Sequence, residues 1–108
     1  MTQRQLENMA LELRRGVIAL AVLSQLRQEH YGYSLIKLLN VQGLEIDQGT
    51  LYPLLRRLES GGLLKSEWRV EGPRPRRYYQ TTENGKEALT MLGQEWNKLV
   101  ETMEGLLS

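Results

Sequence analysis

At 108 residues, with 41% hydrophobic and 25% charged residues, the chain has the composition of one ordinary globular domain, which excludes a disordered segment, a fibrous repeat or a second independent core. It has no cysteine, which removes disulfides, thiolate metal sites and cysteine nucleophiles, and its longest apolar run, Gly16 to Leu23, is too short to span a bilayer. Net charge is only +1, yet Gln48 to Thr82 holds seven basic residues against three acidic ones while the remainder is net negative, the distribution a polyanion-binding face leaves in a sequence.

The N-terminal segment MTQRQLENMALELRR lacks the basic, apolar, small-residue order of a signal peptide, so a cytoplasmic protein is expected. Leu6, Met9, Leu13, Val17 and Leu20 recur at steps of three and four, which predicts a first helix from about Gln3 to Gln28. Its second half spreads apolar residues around more of the circumference and should be buried by more than one partner. Gly16, at the change, reads as a close helix contact or a mild kink. The segment QEHYGY is expected to be a turn, and Leu35, Ile36, Leu38 and Leu39 predict a short second helix over Gly32 to Asn40.

Leu51, Leu54, Leu55 and Leu58 fall at i, i+3, i+4 and i+7, a third helix with one buried stripe. Asp47 or Thr50 is its cap. Pro53 is tolerated in a first turn and costs about 3 kcal/mol in a helix interior, so regular helix is expected from near Thr50, with Gln48 and Gly49 in a looser lead-in. Gly61 and Gly62 end it. LLKSEWRV then alternates Leu64, Ser66, Trp68 and Val70 on one side with Lys65, Glu67 and Arg69 on the other, the period of a half-buried strand, and RRYYQTT reads likewise. The pair predicts a β-hairpin whose turn is EGPRP and whose tip carries Arg69, Arg74, Arg76 and Arg77. Tyr78 and Tyr79 should divide between surface and core.

Thr82 followed by Glu83 suits a helix start. The last helix is predicted over Glu83 to Leu107, with Leu89, Leu92, Trp96, Leu99, Met103 and Leu106 in a heptad seam. Such a helix reaches roughly 37 Å, longer than the small domain before it can cover, so something else must pack on the seam.

Helix, helix, helix, hairpin and long helix describe a winged helix-turn-helix, a mainly α fold with a small β-hairpin, in which the third helix enters the major groove of double-stranded DNA. Gln48, Thr50 and Tyr52 stand near its start, where side chains reach base edges; Arg56, Arg74, Arg76 and Arg77 are placed for phosphates. Arg57 faces the groove wall or pairs with Glu59 or another acid. His30, the only histidine, has no second ligand, and Glu83, Glu87, Glu95, Glu101 and Glu104 read as a solvated helix side. No nucleophile-base pair, phosphate-cradling loop or spaced metal set occurs, so no enzyme, cofactor or metal site is expected.

YGYSLIKLL, GTLYPLLRRLESGGLL and RRYYQTTENGKEAL, with the closing amphipathic helix, resemble the PadR-type transcriptional regulators, in particular the short subfamily with one C-terminal helix. The resemblance implies a homodimeric repressor on an inverted repeat, with a winged-helix domain at residues 1–82 and a dimerisation helix at 83–108. It puts Leu6, Met9 and Leu13 of the first helix, with Leu89, Leu92, Trp96, Leu99, Met103 and Leu106, in the dimer interface, and Thr50 to Pro53 at the start of the recognition helix. In the drug-responsive branch a tryptophan of the last helix stacks on flat aromatic ligands. Trp96 holds that place, flanked by Leu92 and Leu99, while Arg14 and Arg15 lie near the interface; dimer packing alone also accounts for Trp96. The alternative to DNA binding is a winged-helix module that uses the same faces on a partner protein.

Overall fold

A computed structural model describes all 108 residues as four helices and a small antiparallel sheet. The elements are α1 (Gln3–Gln25), β1 (His30–Tyr31), α2 (Gly32–Val41), α3 (Gln48–Ser60), β2 (Leu64–Glu71), β3 (Arg74–Thr81) and α4 (Glu83–Leu107). No helix is long and apolar enough to cross a membrane. The core gathers Ile18, Val22 and Leu23 of α1 with Leu26 just after it, Leu35, Ile36 and Leu39 of α2, and Leu51, Leu54 and Leu55 of α3, closed at the sheet by Leu64 and Tyr79. α2 and α3 turn their predicted apolar stripes inward because that removes the most hydrocarbon from water, whereas α1 buries Ile18, Val22 and Leu23 and leaves Leu6, Met9 and Leu13 of its predicted stripe exposed.

The first helix starts with reciprocal bonds between Thr2 and Gln5 and stops three residues before its expected end. The stop has a partner in space. Thr81 donates its backbone N–H to the Leu26 carbonyl at 2.7 Å and its hydroxyl to the Leu23 carbonyl at 2.9 Å, so β3 satisfies carbonyls left over at the helix end. Gly16 has no neighbour within 4 Å of where a Cβ would stand, so it marks no close contact within the protomer.

Asp47 caps α3, its Oδ1 accepting the Thr50 N–H at 2.8 Å, so regular helix begins at Gln48 and not near Thr50. Pro53 therefore lies in the second turn. Its missing N–H deprives only the carbonyl of Gly49, an exposed residue, and the cap and leucine stripe outweigh that loss. Gly62, at φ 81°, takes the left-handed turn out of the helix.

The sheet differs from expectation in three ways. QEHYGY contains a short strand, β1, which pairs His30 with Tyr79 and Tyr31 with Tyr78, giving the order β1-β3-β2. The hairpin turn is only Gly72 and Pro73, with Gly72 at φ 71°; Glu71 already pairs with Arg74 and Val70 with Pro75. Pro75 is tolerated in a strand because β1 reaches only to Tyr78, so that length of β3 has one neighbour. Finally, burial fades along the Leu64 side of β2: Leu64 is buried, Ser66 half-buried, and Trp68 and Val70 are 64% and 81% exposed. The core underlies only the base of the hairpin.

Thr82 caps α4 by accepting the Gly85 N–H at 3.0 Å. The first two turns of α4 belong to the core, since Gly85 is buried and Leu89 packs against the apolar cluster. Beyond them α4 runs beside α1 with its apolar seam uncovered.

Candidate nucleic-acid interface

A groove of about 610 Å³ runs between α3 and the hairpin, where Tyr52 and Arg56 face Trp68, Arg74, Arg76 and Arg77 across an opening floored by Tyr31 and Gly32. The helix supplies one wall because its leucines fix the opposite side in the core. Tyr52 is half-buried: its ring lies so close to Gly32 that a Cβ there would overlap it, so the tyrosine also sets the spacing between α2 and α3.

The expected base-reading residues do not share one flank. Residues two apart on a helix are turned by about 200°, and while Tyr52 looks toward the hairpin, Thr50 looks toward α1, where it lines shallow depressions with Arg14, Asp47, Arg15 and Arg57. Gln48 stands exposed in the first turn between them. The solvent-facing strip of α3 thus has Tyr52 and Arg56 on one side and Thr50 and Arg57 on the other.

The arginines fall into two groups. Arg56, Arg74 and Arg76 are exposed and make no ion pair; Arg76 lies 4.5 Å over the Tyr31 ring. Arg77 is committed within the chain: it donates to Glu59 Oε1 at 2.9 Å and to Ser66 Oγ at 2.9 Å, and Ser66 donates to the other Glu59 oxygen at 2.5 Å. This cluster joins the end of α3 to both strands: Arg77, expected at a phosphate, has an acidic partner within the chain, and of the alternatives for Arg57 the pairing with Glu59 is the one the cluster removes. Arg69 is likewise no tip residue. It sits mid-strand between Glu67 and Glu29, 4.5 Å over Tyr78, and the hydrogen bonds to Glu67 and then Glu29 hold its pKa above the usual arginine range. Burial raises the Tyr79 hydroxyl above its ordinary range, with Arg77 opposing.

Trp68 was missed as a groove residue, and Glu59 as the partner of Arg77. Period-two alternation placed Trp68 on one side of a half-buried strand with Leu64, and only its position beyond the base of the hairpin leaves it uncovered. Glu59 is an unremarkable helix acid until the fold brings Arg77 to it, 18 residues on.

The remaining candidates lie along α1 and α4. Leu6, Met9 and Leu13 are exposed, as are Leu92, Trp96, Leu99, Met103 and Leu106, whereas Leu89 is half-covered by the core. Arg15 pairs with Glu12 on the exposed side of α1. No cluster of three metal-ligating side chains occurs.

The fold that carries this groove recurs in known proteins. The PadR-like transcriptional regulator family matches residues 19–91. The chain is 42% identical over 80 residues to transcriptional regulator Rv3488 of Mycobacterium tuberculosis, covering 73% of this chain and 75% of that one. It superposes on the crystal structure of a PadR family transcriptional regulator from Eggerthella lenta with a TM-score of 0.91 and 48% identity, covering 97% and 94% of the two chains. A PadR family regulator from Clostridium difficile gives a TM-score of 0.77 at 30% identity, covering 85% and 99%. Fold, motifs and relatives agree on a DNA-binding regulator and not an enzyme: the chain belongs to the PadR-like family of transcriptional regulators.

Proposed function

We propose that the chain is a homodimeric transcriptional repressor acting in the cytoplasm without a cofactor, which grips an inverted-repeat operator through residues 1–82 and pairs through a dimerisation helix at residues 83–108. The observation that carries this reading is the uncovered seam of α4. Leu92, Trp96, Leu99 and Met103 are 40–49% exposed at heptad spacing, a stripe with no partner in the protomer and continued by Leu6, Met9 and Leu13 of α1. A second copy covers such a stripe at the least cost, because a twofold axis matches it to itself.

Two recognition helices related by that axis meet successive major grooves, about 34 Å apart. Gln48, Thr50 and Tyr52 reach base edges from the first turns of α3, while Arg56, Arg74 and Arg76 hold phosphates on the hairpin side. Arg77 acts through Glu59 and Ser66 by fixing the angle of the hairpin to α3. An operator so occupied excludes polymerase. Trp96, with Leu92 and Leu99, offers a flat apolar surface to a small planar aromatic effector, which would release DNA to the extent that it prefers a different angle between protomers.

Sedimentation combined with DNA titration tests the reading. The wild-type chain should sediment as a dimer at micromolar concentration and bind a duplex from its own upstream region with steep salt dependence, and Leu99→Glu should abolish both. A wild-type monomer under those conditions refutes the dimer. A dimer that ignores DNA at low salt indicates a module for a partner protein. For the effector, dye-induced quenching of tryptophan emission that persists in Trp96→Ala rules out that residue as the platform.

A further inference from the structure

The cationic groove has an apolar element that charge does not explain. Trp68 is 64% exposed, and Val70 and Pro75, paired across the strands beside it, extend it into a short apolar strip toward the hairpin tip. An indole this exposed normally finds cover in a folded chain, and none is available because the core ends at the base of the hairpin. Yet the ring is held: Arg77, itself fixed by Glu59 and Ser66, lies over the Trp68 ring at 5.7 Å to the centroid. Arg56 faces it across the groove and Arg74 stands at its rim, both without an acidic partner. A protein partner would be expected to meet mixed charge there; an apolar strip set among unpaired cations instead complements a polyanion that also carries hydrocarbon.

Duplex DNA is such a ligand, since its deoxyribose edges and thymine methyl groups are apolar and lie within a few ångströms of its phosphates. We infer that Trp68 is a non-ionic DNA contact of the wing, packing on sugar edges and thymine methyl groups while the neighbouring arginines take phosphates. The inference rests on the DNA-binding reading above and adds a contact that charge counting leaves out. Arg77 then has a second consequence: by pinning the indole, the Glu59–Arg77 pair holds this contact ready before DNA arrives, which reduces the ordering needed on binding.

Because the contact is apolar, its removal should weaken binding without changing its salt dependence. Trp68→Ala is expected to lose on the order of tenfold in affinity for a labelled duplex from the protein's own upstream region, equally at every salt concentration, as truncation of a central interface tryptophan does. Trp68→Phe should retain most of the affinity. The direct readout is fluorine NMR of the full-length chain carrying 5-fluorotryptophan, with the Trp68 and Trp96 signals assigned through Trp68→Phe. At saturating duplex the Trp68 signal should shift and lose its sensitivity to exchange of H2O for D2O. Wild-type affinity in Trp68→Ala, or a Trp68 signal unchanged while anisotropy reports bound DNA, overturns the inference alone. Absence of any anisotropy change with wild-type protein overturns the DNA-binding reading and this inference with it.

Discussion

Arg77 separates a charge count from a structure, because a count makes it one more phosphate ligand whereas the fold assigns it to Glu59. Removing it should therefore leave the salt dependence of DNA binding unchanged. Arg74 and Arg76 have no acidic partner, so each alanine variant should flatten the slope of log affinity against log salt by about 0.9 per protomer, which across a fourfold rise in salt is roughly a 3.5-fold smaller loss of affinity. Arg77→Ala should instead cost stability. Its side chain and that of Glu59 are 37% and 27% exposed, so the ion pair is partly screened and worth about 1 kcal/mol or less; with the shared Ser66 hydrogen bonds the loss is about 1–2 kcal/mol, a fall in Tm of roughly 5–10 °C. The double variant Glu59→Ala/Arg77→Ala removes the unpaired carboxylate that the single change leaves beside the groove, and should match the wild-type salt slope. The assay is fluorescence anisotropy at several salt concentrations beside thermal melts at fixed protein concentration. Flattening by Arg77→Ala equal to that by Arg74→Ala would mean that Arg77 leaves Glu59 for a phosphate, and the structural role given to it here would be wrong.

Thr81→Val should destabilise by about 1–3 kcal/mol although it conserves shape and adds hydrocarbon, because the Leu23 carbonyl loses its donor in a buried place; Thr81→Ser, which keeps the bond, should cost about 1 kcal/mol, and urea unfolding distinguishes them. Gly85→Ala should be destabilising by more than about 1 kcal/mol despite the gain in helix propensity, since its Cβ would meet the Leu63 carbonyl and the Thr81 methyl group, whereas Gly16→Ala, with open space around it, should stabilise by up to about 1 kcal/mol in the same melts. Burial raises the folded-state pKa of Tyr79 above the unfolded value near 10, so its proton contributes stability that is complete below that value and is lost as pH rises through the higher folded one. Tyr79→Phe should accordingly change neutral-pH stability by less than about 1 kcal/mol and unfold less readily than wild type above pH 10, read by circular dichroism across an alkaline series.

Periodicity alone determined where the helices lie, because hydrogen bonding within a helix is local, and in α2 and α3 the apolar stripe records the direction of the core; in α1 Leu6, Met9 and Leu13 of the stripe stay exposed while Ile18, Val22 and Leu23 are buried. The seam of α4 was legible in the same way, as was the alternation of the hairpin. Local chemistry determined some of the ends, at Asp47, Gly62 and Thr82, but not the others. The turn between β2 and β3 is two residues long because strand pairing continued through Arg74 and Pro75, and α1 stops at Gln25 because Thr81, far along the chain, takes its last carbonyls. β1 left no mark at all, since two residues have no period and their only partners are Tyr78 and Tyr79.

The same division runs through the candidate site. Clustered arginines beside a leucine-backed helix marked the groove, and that much is a property of composition along the chain. Which arginines are free is not, because neutralisation depends on what folding brings within 3 Å: Glu59 to Arg77, Glu29 and Glu67 to Arg69, and nothing acidic to Arg56, Arg74 or Arg76. Trp68 follows the same rule from the apolar side, for alternation selects a face of a strand and only the reach of the core decides whether that face is covered. A sequence carries each residue's preference for water or hydrocarbon, charge or counter-charge; the tertiary structure decides which preferences are met inside the chain, and those left unmet form its binding surface.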